Sequence, residues 1–255
     1  MKILVCIKQV PDLESKFKLN DKGNWVVESS LAFRLNEYDE YAAEEAVKLK
    51  EKLGSENADL TVLSIGPERV KEVIKKVLAM GADRAIYIKD NEAYSKDPFR
   101  ISSIIYECVK DHCFDIIFTG MQSNDRSSCQ VAVFLAELLG INAITTVVGF
   151  DCNDNVVTVK RELEGGKKMV VKSTLPLLLT CQLGLNNPRY PTLPNIMKAK
   201  KKEIKEYDVK DFDKITNNTT IAKLLYPEKK SKAEIIEGSI NEIAPKLLKI
   251  IKGKV

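Results

Sequence analysis

"FDIIFTGMQSNDRSSCQVAVFLAELLG", residues 114–140, is the stretch that decides the fold. Residues 114–120, "FDIIFTG", form an apolar run of strand length. Residues 121–128, "MQSNDRSS", are polar. "SSCQVAVFLAELLG" is then largely apolar, long enough for a helix, and closes on Gly140, a good C-terminal stop. Strand, polar junction and helix make the repeating unit of a parallel sheet. Backbone amides and the helix dipole at such a junction favour an anion, typically phosphate.

The same unit recurs toward the N-terminus. "KILVCIK" (2–8) is a continuous apolar run, as expected of a strand covered on both faces. "KFKLNDKGNWVVE" (16–28) alternates around Asp21, Lys22 and Gly23 and predicts an inserted hairpin. In "NEYDEYAAEEAVKLKEKLG" (36–54), Asn36 is a good N-cap with Asp39 three residues on. Ala42, Ala46, Leu49 and Leu53 share one helical face, and Gly54 ends the helix. "DLTVLSIG" (59–66) is a strand, and Pro67 opens a helix striped by Val70, Val73, Ile74 and Val77 and closed by Gly81. "RAIYIKD" (84–90) is a strand. "DPFRISSIIYECVKDHC" (97–113) is a helix with Ile101, Ile104, Ile105 and Cys108 inward.

This alternation predicts an α/β fold: a doubly wound, mostly parallel, Rossmann-like sheet with helices on both faces. Such sheets bind ligands beyond the carboxyl ends of the strands, where strand order switches. The junctions to inspect are Lys8, Gln9, Val10 and Pro11 after the first strand, Gly66 and Pro67, and the polar stretch 121–128.

After Gly140 the pattern changes. "AITTVVGF" (143–150) and "VVTVKRELEGGKKMVVK" (156–172) are strand-like, with a hairpin turn at Glu164, Gly165, Gly166 and Lys167. "LPLLLTCQ" (175–182) is a buried strand. In "RYPTLPNIMKAKKK" (189–202), Pro191 and Pro194 argue against a regular element, leaving loop or a very short turn. Leu193, Ile196 and Met197 are its apolar side chains; Lys198, Lys200, Lys201 and Lys202 follow. From its own residues the stretch fits a docking loop, or equally a segment packed on its own body beside solvated lysines. "KKKEIKEYDVKDFDKITNN" (200–218) is polar with weak periodicity and predicts an extended arm. "GSINEIAPKLLKIIKGK" (238–254) predicts a C-terminal helix. Ser239 and Glu242 form its capping box, Pro245 should kink or delay it, and Ile243, Leu247, Ile250 and Ile251 form its stripe. The expected division is 1–205, with a loop at 186–202, and 206–255 as an arm and helix packing on another subunit.

The 255 residues are 44% hydrophobic and 30% charged, values of an ordinary globular protein with a proper core. A net charge of +4 gives no nucleic-acid signature. No apolar run reaches the roughly 18 residues of a membrane span. The apolar N-terminus is too short for a signal peptide and reads as the first strand. Cysteines at 6, 108, 113, 129, 152 and 181 form no Cys-x-x-Cys pair, and are expected to be reduced thiols of a soluble cytoplasmic protein. His112 is the one histidine, so multi-histidine metal sites are excluded and any serine triad must use it. Its spacing from Cys108 and Cys113 matches no zinc pattern, and no metal site is expected; the last turn of a helix is its expected place. Gly-x-Gly-x-x-Gly, Walker A and ATP-pyrophosphatase loops are absent, so a bound nucleotide has no evident apparatus for turnover.

The chain resembles the β subunit of electron-transfer flavoprotein essentially end to end. The resemblance rests on "MKILVCIKQVPD", "NEYDEYAAEEAVKLKE", "VLAMGADRAI", "KRELEGG" and "LGLNNPRYPTLPNIMKAKKK". The late "YPEKKSKAEIIEGSI" looks like the branch serving trimethylamine dehydrogenase and similar flavoenzymes. The resemblance implies a non-catalytic subunit of a prokaryotic heterodimer, whose α subunit holds the electron-shuttling FAD and whose β subunit holds a structural AMP. Matched by position, the AMP pocket would use Cys6, Asn36, Glu37, Tyr38, Asp39, Ile65, Gly120, Met121, Gln122, Ser123, Asn124, Asp125, Ser127, Ser128, Cys129, Gln130 and Val131. These lie at strand ends that topology also selects. Leu13 falls near the dimethylbenzene edge of the flavin, where many members have tyrosine. Pro191, Thr192, Leu193, Pro194, Ile196 and Met197 match the recognition loop, with Leu193 entering a pocket on an electron-donating acyl-CoA or amine dehydrogenase. Glu162 matches a glutamate that pairs with an α-subunit arginine in one pose; a solvated strand carboxylate is the simpler account of it.

Two alternatives stand beside this expectation. In the bifurcating branch a second FAD occupies the AMP site, usually with a loop like "RQAIDGDTAQVGP". Here Ser127, Ser128 and Cys129 depart from it. The other is a nucleotide-hydrolysing α/β enzyme acting alone, which the fold permits and the missing catalytic loops oppose.

Overall fold

A computed structural model of the chain describes residues 1–227 and 235–253. They form two compact units, Met1–Ala222 and Lys223–Val255. In the first unit the strands are β1 (Lys2–Cys6), β2 (Gln9–Pro11), β3 (Phe33–Leu35), β4 (Asp59–Gly66), β5 (Arg84–Lys89), β6 (Ile116–Gly120), β7 (Asn142–Asn153), β8 (Val156–Glu162), β9 (Lys168–Thr174), β10 (Leu177–Cys181) and β11 (Ile204–Asp208). The α-helices are α1 (Glu37–Leu53), α2 (Lys71–Met80), α3 (Pro98–Val109), α4 (Val131–Leu139) and α5 (Leu193–Ala199).

A nine-stranded sheet runs in the order β11-β5-β4-β1-β6-β10-β7-β8-β9. The strands from β11 to β7 are parallel; β8 and β9 extend it as an antiparallel hairpin. Alternation along β1 explains the two covered faces. Ile3 and Val5 pack with Ala42, Ala46 and Leu49 of α1 and with Val73, Ile74 and Val77 of α2. Leu4, pointing the other way, packs with Ile104 and Ile105 of α3 and Leu135 of α4. Full burial of each such Val, Leu or Ile side chain contributes about 1.5–3 kcal/mol. From β1 the chain winds through α1 to β4 on one side, and later returns through α3 to β6 on the other. The carboxyl ends of β1 and β6 are therefore the switch point.

Several local expectations change. The 16–28 hairpin is reduced to one antiparallel bridge, Leu19 with Val26, while β2 and β3 pair outside it. His112 lies beyond the end of α3, not in its last turn, and its ring stacks on Phe114 at 5.8 Å. The segment after Pro191 is not loop: α5 is a helix with Pro194 in its first turn, where an amide hydrogen is not needed. The polar stretch after it is not an extended arm throughout. Ile204–Asp208 pairs with β5 as the sheet's edge strand, so the expected boundary at 205 falls inside a strand, and the compact unit runs on to Ala222.

The second unit holds α6 (Ile240–Lys252). Glu242 Oε2 accepts the Ser239 N–H and hydroxyl, each at 2.8 Å, completing the expected cap. The helix continues through Pro245 from Ile240 to Lys252, neither delayed nor broken there. Part of the quoted stretch 226–240, namely 228–234, lies outside the described residues.

Candidate functional site

The crevice at the switch point is tied together by α1. Asp39, in its first turn, accepts the Lys8 N–H at 2.7 Å and the Gly120 N–H at 3.0 Å. One buried carboxylate thus joins the chain leaving β1 to the end of β6. Burial pushes its pKa up from 3.8 to about 7, against the hydrogen bonds it receives. Gly120 is required by this approach. A Cβ there would lie 2.8 Å from the Tyr38 Cβ and 3.0 Å from the Tyr38 carbonyl carbon.

Asn36 is the N-cap of α1, but its side chain does not cap the helix. Its Nδ2 donates to the Gln122 carbonyl at 2.8 Å, and its Oδ1 accepts the Asn124 N–H at 3.0 Å. The local capping expected of Asn36 and Asp39 is thus replaced by ties to the loop after β6. Tyr38 joins them: its hydroxyl accepts from Gln122 Nε2 at 2.9 Å. Lys8 reaches across the crevice to both Asp125 oxygens at 2.7 Å and to Ser123 Oγ at 3.3 Å. Ser127 and Cys129 have left-handed backbones, with φ of 49° and 55°, turning the loop into Gln130 and the start of α4.

A cavity of about 220 Å³ opens here. Of the expected pocket residues, Cys6, Asn36, Asp39, Ile65, Gly120, Met121, Gln122, Ser123, Asp125, Ser128, Cys129, Gln130 and Val131 line it. Tyr38 and Asn124 hold the loop from behind, and Glu37 and Ser127 do not reach the lining. Burial pushes the Cys6 thiol far up, so Cys6 offers no thiolate nucleophile. Two buried polar atoms of the lining have no protein partner. Gln9 is 8% exposed and donates from Nε2 to the Arg69 carbonyl at 3.2 Å, while its Oε1 is unpaired; so is Arg69 Nε. Both atoms are enclosed by protein and face neither solvent nor the cavity, so the polar groups open to a ligand are those of the loop after β6. Trp25, Arg69, Tyr94 and Arg126 are lining residues that sequence reasoning missed. Trp25 lay in the expected hairpin 16–28, Arg69 in the helix expected from Pro67 and Arg126 in the polar stretch 121–128, but none of these readings pointed to a ligand site; Tyr94 lay in no stretch singled out.

The segment leading into α5 is held on the same helix. Arg189 forks onto Glu44, with Nε and Nη2 each 2.9 Å from its oxygens, and its Nη1 donates to Glu51 at 2.5 Å. Asn186 donates to Glu45 at 2.8 Å and to the Tyr41 carbonyl at 3.0 Å. Beyond this clamp Tyr190, Leu193, Ile196 and Met197 are exposed, Leu193 at 79%. Buried Ala199 seats the helix end. Lys202 is not a free docking charge: its ammonium donates to the carbonyls of Leu78 and Ala82 at 3.0 and 2.5 Å, at the end of α2. Leu13 is exposed in the loop after β2. Glu162, exposed at the end of β8, stands opposite Lys168 in the β8–β9 register. Among the described residues no helix is long and apolar enough to cross a membrane, and no group of metal-binding side chains occurs.

Residues 24–212 match the family model described as electron transfer flavoprotein domain. Along its length the chain is similar to three proteins named electron transfer flavoprotein subunit beta. It is 36% identical to that of Methylophilus methylotrophus, over 98% of each chain. It is 37% identical to that of Bacillus subtilis, over 100% of this chain and 98% of the relative. With the mitochondrial protein of Arabidopsis thaliana it shares 34%, over 97% of each. A doubly wound α/β body with a crevice at its switch point thus acquires a family. The chain belongs to the electron transfer flavoproteins, in the β-subunit family, and electron transfer is the function that membership assigns.

Proposed function

We propose that this chain is the scaffold and docking half of a heterodimeric electron carrier. It holds AMP in the β1/β6 crevice and covers an FAD carried mainly by an α subunit. The observation that carries the nucleotide assignment is the crevice itself: a cavity of about 220 Å³ at the switch point, lined by the polar loop after β6 that Asn36 fastens, with Gly120 and Asp39 closing its floor. Ser123, Ser128 and the backbone entering α4 would receive the phosphate, and Ile65 and Cys6 would flank the base. The flavin, bound by the partner, supplies the redox chemistry. This chain's residues orient and exclude: Leu13 approaches the flavin edge, and Glu162 pairs with a cation of the α subunit in one pose. α6, whose Leu247, Leu248 and Ile251 are exposed, packs on that subunit.

The exposed apolar set around Leu193 is the docking surface for flavin-containing dehydrogenases. A leucine anchor contributes about 2 kcal/mol, strong enough to select a partner and weak enough to release it. Lys198, Lys200 and Lys201 assist encounter.

The scaffold role is tested by expressing this chain alone. It should carry little flavin and expose apolar surface. A flavin-loaded, stable monomer would contradict the assignment.

A further inference from the structure

We infer that Arg126 reads the phosphate charge of the ligand in this cavity, held in place for that task by Trp25 and Tyr94. The inference rests on assigning the cavity to a nucleotide and names the residue that discriminates nucleotide from nucleoside.

Three separate excursions of the chain meet here. Trp25 belongs to the turn within 16–28, Tyr94 to the short turn after β5, and Arg126 to the loop after β6; all three line the cavity. The Trp25 and Tyr94 rings stack with centroids 5.0 Å apart and planes 23° from parallel. The Arg126 guanidinium lies 5.3 Å from the Trp25 ring centroid and donates through Nη2 to the Tyr94 carbonyl. The arrangement fixes a flexible side chain at the cavity wall before any ligand arrives.

Charge then distinguishes Arg126 from its neighbours. The other cations of the lining are each matched by a carboxylate. Lys8 meets Asp125 at 2.7 Å, Arg69 meets Glu28 at 3.0 Å, and Lys96 meets Asp90 at 2.8 Å. Among the described residues, Arg126 has no carboxylate within salt-bridge distance, because adjacent Asp125 is engaged by Lys8. Burial pulls the Arg126 pKa below its ordinary value, the mark of a desolvated cation. A guanidinium on a cavity wall that no carboxylate bonds, with Asp125 attracting it only from a distance, is suited to an anion with oxygens in a fork, and a phosphate monoester offers it. One Nη donor is spent on the Tyr94 carbonyl, leaving donors of the fork for the ligand.

The test compares AMP with adenosine on the αβ complex depleted of nucleotide. Arg126→Gln should weaken AMP at least ~10-fold while leaving adenosine within about twofold, the loss expected for one charge-assisted hydrogen bond. Arg126→Lys, which keeps the charge and loses the fork, should fall between. If Gln weakens AMP and adenosine equally, or neither, Arg126 does not read phosphate and the inference fails while the nucleotide assignment stands. A wild-type complex that takes up neither compound overturns the assignment and this inference with it.

Discussion

Asp39 and Gly120 meet by a single 3.0 Å hydrogen bond across the switch point of the sheet, from a glycine amide to a buried carboxylate. The other Asp39 oxygen takes the Lys8 amide, so the first turn of α1 fastens the ends of β1 and β6 together. Everything proposed for the crevice depends on that fastening.

Gly120→Ala therefore should be costly although alanine is the smallest change available. The added methyl would press on Tyr38 at 2.8 Å and displace Asp39 from its two amides. A loss of about 1–3 kcal/mol is expected, read from urea unfolding of the αβ complex, together with weaker nucleotide retention. An unchanged unfolding midpoint would show that Asp39 is not held as described.

Asp39 also sets a pH dependence. Its carboxyl titrates near 7 when folded against 3.8 ordinarily, so the folded chain holds the proton more tightly. Folding then takes up a proton between about pH 4 and 7; the stabilisation is full below that window and is lost as pH rises through about 7. Asp39→Asn removes the group, so wild type minus variant stability should fall across the window and flatten above it. Parallel stability profiles for the two proteins would count against a raised pKa.

Arg189 is the hinge pin of the docking segment. Its partner Glu44 is only 5% exposed at the side chain, and Arg189→Ala would leave that buried carboxylate without a counter-charge, held only by the residue 189 backbone amide at 3.1 Å. A loss of about 3 kcal/mol follows from stranding a buried charge, and Arg189→Lys should recover part of it. Hydrogen exchange in α5 should rise in the alanine variant. Unaltered exchange there would separate the clamp from the segment it is said to hold.

Leu193→Ala makes the opposite test, since Leu193 is 79% exposed. Stability and bound nucleotide should stay the same. Reduction by the partner dehydrogenase should slow about 30-fold at low concentration, the equivalent of about 2 kcal/mol of lost anchor. Transfer kinetics identical to wild type would remove Leu193 from the docking surface.

The contrast between legible and illegible parts of this chain has physical causes. β1, β4, β5 and β6 are buried on both faces, so each appears as an apolar run, and α1 to α4 carry stripes fitted to that sheet. β11 escaped because it is an edge strand whose middle residues, Lys205 and Glu206, face solvent. α5 escaped because Pro191 and Pro194 look like breakers, yet one precedes the helix and the other sits in its first turn. Asn36 stands at the expected N-cap, but capping rules see only three residues ahead, whereas its side chain bonds a loop more than eighty residues on and Asp39 ties Lys8 to Gly120. Nothing local pointed Trp25, Tyr94 and Arg69 to the crevice, since tertiary folding alone brings their segments there.

The most direct measurement is the identity and number of nucleotides released when the purified αβ complex is denatured. One FAD and one AMP per heterodimer is the predicted result, with the 120–131 loop cradling the AMP. Two FAD and no AMP would contradict it, and would make this subunit a redox participant whose crevice holds a second flavin nucleotide.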